Sequence, residues 1–154
     1  MATQFRAAPN GDVNQQLAYT GKEKIAINPT FFQRMDKRVE AINDAGLLAV
    51  PVLLWAIAGG GNPAVNPGYS LSDDQAVLLA RYMVARWGGN DVAWILGGDG
   101  DYREAKAERW RKMGRAIFGD IDHAPVTMHP GGMQWVWNEF IEEKWYGFVG
   151  YQSG

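Results

Sequence analysis

Cysteine is absent from this chain, which excludes a disulfide scaffold, a thiolate nucleophile and any cysteine-ligated metal site. A chain without thiols is compatible with any redox compartment. Charge of one sign is also lacking: the formal net charge is −2, so there is no basic footprint and no nucleic-acid partner is expected. Long hydrophobic runs are missing too. The longest, residues 47–58, is interrupted by Pro51 and falls short of the roughly 20 residues a spanning helix needs, so no membrane partner is expected. The start, MATQFRAAPNGD, has one early Arg and then turn residues, unlike a secretory signal. Disorder is excluded as well, because 47% of the 154 residues are hydrophobic, which fits one domain with its own core.

Glycine and tryptophan are plentiful, at 19 and 7 residues. The glycines cluster at Gly59-Gly60-Gly61, Gly88-Gly89, Gly97-Gly98-Asp99-Gly100 and Gly131-Gly132, each after an apolar or helical stretch, and read as punctuation between elements. Tryptophans at strand ends suit flat or ring-shaped ligands, although most of the seven read as core filler.

Residues 1–27 show little periodicity and read as loop with at most one short strand. A helix then starts at Asn28-Pro29, a cap followed by proline at the first helical position. Phe32, Met35, Val39 and Ile42 form its apolar stripe, and Gly46 closes it. The run LAVPVLLW (48–55) is apolar without alternation, as a strand buried on both faces would be, with a bulge expected near Pro51. After a loop over 58–71, Ser72 and Gln75 fit a capping box that opens a helix with Ala76, Val77, Ala80, Val84 and Trp87 on one face. Residues 92–96 read as a second strand that stops at Gly97, 105–118 as a helix, and 124–128 as a third strand. Residues 133–144 are predicted helical, and 146–151 a fourth strand. Strands alternating with helices predict an α/β fold with a parallel sheet. The units fit a (β/α)8 barrel, but a whole barrel takes about 250 residues, so the chain holds about half of one or a smaller open sheet.

In such folds ligands bind at the carboxyl ends of the strands. That rule selects Trp55, Asp99, His129 and the Tyr151-Gln152-Ser153 end of the chain. Asp99 stands on a glycine turn where a carboxyl could perform acid/base work; alternatively it shapes the turn or caps the next helix. Asp99-Gly100-Asp101 lacks the further ligands of a calcium loop, and the glycine cluster has neither P-loop nor dinucleotide spacing, so no metal and no cofactor are expected. Glu139 reads as a helix-surface residue beside Glu142 and Glu143, and His123 as structural, at the opposite end of the sheet.

Five strings together carry a resemblance: INPTFF (27–32), PVLLW (51–55), WILGGDGDY (94–102), HPGG (129–132) and YQSG (151–154). In this order, from about Asn10 onward, the chain resembles the apiosidase-like glycoside hydrolase catalytic domain. The resemblance implies a partial (β/α)8 TIM barrel, a single domain over 1–154 truncated at both ends, in which residues 45–154 supply strands three to six. It implies hydrolysis of glycosidic bonds in pectin-type polysaccharides, with Asp99 as general acid/base at the end of the fourth strand. It also implies that Trp55, Asp101, Tyr102, His129, Tyr151 and Gln152 contact the sugar, and a secreted or periplasmic location. The family's nucleophile, a Glu ending the seventh strand, has no match here. Hydrolysis with retention uses two carboxyl groups about 5–5.5 Å apart, so this stretch is not expected to catalyse alone. Two open sheet edges would favour self-association. The alternatives are a non-catalytic carbohydrate-binding or assembly module built on the same barrel, and an unrelated open-sheet protein with a small-molecule site.

Overall fold

A computed structural model describes residues 11–57 and 66–154. The first ten residues and the Gly59-Gly60-Gly61 cluster lie outside the described residues. The described chain opens with a small antiparallel hairpin, β1 (Tyr19–Thr20) and β2 (Ala26–Ile27), where one short strand at most was expected. Helix α1 (Pro29–Asp44) follows. Its start is as the sequence predicts: the Asn28 side chain accepts a hydrogen bond from the Thr30 amide at 3.1 Å, with Pro29 in the first turn. Gly46 lies just past its end at φ +72°, a conformation that glycine adopts without a Cβ penalty.

The central sheet is parallel, with strand order β3 (Val52–Trp55), β4 (Trp94–Gly100), β5 (Val126–Pro130). The expected irregularity at Pro51 is present. Before β3 the pairing reduces to an isolated bridge between Ala49 and Val92, while the Pro51 carbonyl still accepts from the Ile95 amide at 3.1 Å. Proline can serve the ladder as an acceptor and cannot donate to it.

Two helices cover the sheet, α3 (Asp73–Trp87) and α4 (Ala105–Phe118), which pack against each other. Between β3 and α3 lies a single turn, α2 (Pro67–Ser70), where loop was expected. Arg109 of α4 binds this turn: it donates to the carbonyls of Gly68 at 2.6 Å and Leu71 at 3.2 Å, and pairs with Asp73 at 2.6 Å. The core is continuous, and Trp87, Trp94, Trp110 and Trp145 are buried in it, so four of the seven tryptophans are indeed filler.

Three expectations need correction. The capping box at Ser72 does not form: Ser72 makes no side-chain cap hydrogen bond, and Gln75 instead accepts from the Ile25 amide at 2.8 Å. The tertiary contact holds the hairpin onto α3, and a buried backbone amide gains more from that partner than an exposed cap would. Residues 133–144 are not one helix; only α5 (Trp137–Phe140) is helical. Met133 takes φ +61°, and the broad apolar face divides, with Val136 and Phe140 inward but Trp135 and Ile141 exposed. Arg111 and Arg115 of α4 fasten this segment through Glu139 at 2.7 Å and Glu143 at 2.5 Å. The fourth strand is reduced to a bridge between Val126 and Tyr146. Gly147 and Gly150, with no side chains to pack, interrupt the run beyond it.

A polar clasp joins α1 to α3. Arg86 grips Asp36 through two bonds of 2.6 Å, and the buried Trp87 indole donates to the same carboxylate at 2.8 Å. Arg86 foremost, and Trp87 in addition, hold the Asp36 carboxyl below the usual carboxylate range, against the opposing effect of burial. A depressed folded-state value means that this stabilisation is complete above the unfolded-state pKa of about 3.9 and is lost as pH falls through the folded value. Asp36→Ala leaves the buried indole N–H without its acceptor and is expected to cost about 1–3 kcal/mol in urea unfolding. An unchanged midpoint would contradict the clasp.

Candidate active site

Parallel pairing brings the carboxyl ends of β3, β4 and β5 to one rim of the sheet. The register is direct: Trp55 pairs with Gly98, and Gly98 with His129. A glycine therefore separates two rings in one cross-strand row, and the Trp55 and His129 rings meet edge-on with centroids 6.4 Å apart. A Cβ on Gly98 would lie 2.7 Å from Trp55 Cε3 and 2.8 Å from Val52 Cγ1. On the neighbouring residue Gly97, it would lie 2.7 Å from the Tyr102 hydroxyl. The glycines read as punctuation are thus strand residues: β4 runs through them to Gly100, because the rings packed on both sides leave no room for side chains.

Asp99 occupies this row's edge in an unusual backbone state. Its φ is +52°, in the left-handed region, and the β4–β5 register shifts on both sides of Gly98. Such irregularities re-aim a side chain that regular alternation would send to a sheet face. Asp99 Oδ1 lies 3.3 Å from His129 Nδ1, with the two side chains 26% and 33% exposed. The Gln152 amide, turned so that its nitrogen faces acceptors, donates to Asp99 Oδ1 at 3.3 Å and to the Pro130 carbonyl at 3.2 Å. Both contacts fall on Oδ1; among the described residues Oδ2 has no hydrogen-bond partner. Gln152 thus bonds one carboxyl oxygen, and the His129 ring lies against the same atom without a hydrogen bond to it.

Trp55, Asp99, His129 and Gln152 therefore come together. Asp101 stands beside them in a different condition. It pairs with Arg103 at 2.9 Å and Lys106 at 2.6 Å, and these cations hold its carboxyl far below the usual range. It suits a permanent anion on the rim and not a proton donor. A cavity of about 290 Å³ next to it is lined by Ala56, Tyr69, Gly100, Asp101, Lys106 and Arg109 among others.

Tyr102, expected at the sugar surface, is fully buried instead: its hydroxyl accepts from the Gly100 amide at 3.0 Å and its ring meets Trp110 edge-on at 4.9 Å. It supports the end of β4 from below. Tyr151 is half exposed and lies near Trp135, with ring centroids 6.2 Å apart. Sequence reasoning missed Trp135 because it assigned that residue to a helix. Glu139 is committed to Arg111 and to the Glu104 amide. His123 lies before β5, against Phe118. Among the described residues no three His, Asp or Glu side chains are grouped to hold a metal ion.

Comparison with known proteins bears on this geometry. The family model described as "Apiosidase-like, catalytic domain" matches residues 1–154. No curated protein matches. Among solved structures, the chain is similar to a glycoside hydrolase family 5 from Bacteroides vulgatus ATCC 8482, at 22% identity and a TM-score of 0.66. The similarity covers 80% of this chain and 25% of that one, so the chain spans about a quarter of that protein's length. At that identity the likeness speaks for the fold, a part of a TIM barrel: a parallel three-stranded sheet with helices, not closed among the described residues.

Proposed function

The chain belongs to the apiosidase-like catalytic-domain family, a glycoside hydrolase-like domain, and from that premise we propose that Asp99 is the general acid/base of a glycoside hydrolase. The observation that carries this reading is the carboxyl at the strand ends, bonded at Oδ1 by Gln152 and with His129 Nδ1 3.3 Å from the same oxygen. In its acid form Asp99 gives its proton to the glycosidic oxygen as the bond from that oxygen to the anomeric carbon breaks. The leaving sugar departs as a neutral alcohol, and positive charge develops at the anomeric carbon. Where the second carboxyl bonds covalently to the anomeric carbon, Asp99, now a carboxylate, takes a proton from the water that displaces it; where that carboxyl activates the water directly, it takes the proton itself. Both stereochemical courses ask the same of Asp99 in the bond-breaking step. Trp55 and His129 shape the pocket around the sugar, Gln152 orients the carboxyl, and Asp101 offers hydroxyl groups a fixed acceptor on the rim.

A second carboxyl is required on the opposite face of the scissile bond. Asp101, two residues along the chain from Asp99, and Glu139 are both committed to cations, so neither is free for that task. We infer that the nucleophile comes from polypeptide outside the described residues. The same observation favours one other reading, a non-catalytic module that binds carbohydrate in the same mouth.

The substrate class is pectic polysaccharide, a reading that rests on family membership. Incubating the protein in its full natural length with soluble pectin, and with cellulose as control, is expected to release sugar from pectin alone. Binding measured by calorimetry with no product from pectin would leave the non-catalytic reading in its place.

A further inference from the structure

Beyond the row at the strand ends, the loop after β5 and the end of the chain expose three large side chains together: Met133 at 70%, Trp135 at 55% and Tyr151 at 50%. They are organised. The Tyr151 hydroxyl lies 3.8 Å from Met133 Sδ, and the Trp135 and Tyr151 rings are tilted by 58°. Two rings at that angle do not stack face to face, and both stay about half exposed. The backbone beneath is fixed: the Met133 amide donates to the Gln152 carbonyl at 2.9 Å, although Met133 must adopt φ +61° to do so. A strained residue that exposes apolar surface gives folding no advantage, and such features point to a ligand.

Position and chemistry narrow the ligand. The Gln152 whose carbonyl anchors the loop is the residue whose amide reaches Asp99, and Tyr151 is its chain neighbour. The aromatic pair is therefore tied through the backbone to the residue that reaches Asp99. Aromatic faces carry negative charge density, which attracts the polarised C–H groups on the flat side of a sugar ring. We propose that Trp135 and Tyr151, with Met133 at their side, form a second sugar subsite that holds a residue of the polysaccharide chain next to the bond cleaved at Asp99. The subsite rests on the glycosidase reading for its ligand class.

The test uses a size-fractionated pectic oligosaccharide, titrated by calorimetry into the protein and into Trp135→Ala, Trp135→Phe and Asp99→Asn variants. Trp135→Ala is expected to weaken binding tenfold or more, Trp135→Phe less than threefold because a ring face remains, and Asp99→Asn less than threefold. In turnover assays Trp135→Ala is expected to raise KM more than it lowers kcat. Equal affinity of wild type and Trp135→Ala overturns the subsite, even where Asp99→Asn is inactive and the glycosidase reading stands. Turnover retained by Asp99→Asn alongside weakened binding by Trp135→Ala leaves the sugar subsite standing and removes Asp99 from the reaction. A changed sedimentation coefficient in Trp135→Ala with unchanged sugar affinity overturns the proposal in favour of a protein contact. No binding by the wild type overturns both readings.

Discussion

Asp99→Asn is expected to reduce kcat by about 10²–10⁴-fold, the usual weight of a positioned proton donor, while the protein keeps its thermal midpoint. The asparagine has the same shape and can still accept from Gln152 through its carbonyl oxygen, so the contact that orients position 99 survives. What disappears is the transferable proton on the second oxygen. The alternative role for this residue is that of a turn-shaping aspartate, and the two roles separate cleanly. A turn-shaping side chain lost to asparagine would leave turnover nearly intact, since asparagine also tolerates the left-handed backbone that Asp99 adopts at φ +52°. Activity measured on pectin, beside a melting curve of the same preparation, distinguishes them.

Gly98→Ala should have an effect of comparable consequence by a different route. The added methyl would stand 2.7 Å from Trp55 Cε3 and 2.8 Å from Val52 Cγ1. Neither neighbour is the far end of a flexible chain: one is a rigid indole, the other a β-branched side chain on the adjacent strand. Overpacking of this kind costs about 1–3 kcal/mol. The indole has to move, and with it the row shared with His129, so KM is expected to rise as stability falls. Gly89→Ala is the control, because a Cβ there meets nothing within 4 Å. It should be neutral or slightly stabilising. Urea unfolding of both variants compares them directly, and equal midpoints would contradict the role given to Gly98.

The local elements of the fold were legible where local chemistry decides. Asn28-Pro29 capped α1 as read, and α4 has the bounds 105–118 expected from its Trp110, Met113 and Ile117 stripe. Pro51 announced the lapse in pairing before β3. The failures fall where a partner distant in sequence wins. Gln75 left its capping box for Ile25, 50 residues away. The apolar run around Trp135 looked helical because nothing local marked Met133 for a left-handed turn, which depends on the Gln152 carbonyl.

The site divides in the same way. That Trp55, Asp99 and His129 share one rim follows from parallel strands and could be read from strand ends alone, whereas Gln152 reaches it from a segment that forms no strand. Their mutual distances depend on the Trp55–Gly98–His129 register and on two register shifts in β4, neither of which leaves a mark on the sequence. Tyr102 shows the limit: its strand-end position is shared with Asp101, but the space above Gly97 and Gly100 draws it into the core.

The central claim is that Asp99 delivers a proton to the departing oxygen, and the most direct measurement is kcat/KM for Asp99→Asn and wild type across glycosides of graded leaving-group acidity. A general acid matters most when the leaving group is a poor one. The account predicts that the variant falls at least a hundredfold behind wild type on alkyl leaving groups and within about tenfold on a dinitrophenyl one, which needs no protonation. A deficit that stays constant across the series, or no deficit at all, would contradict it.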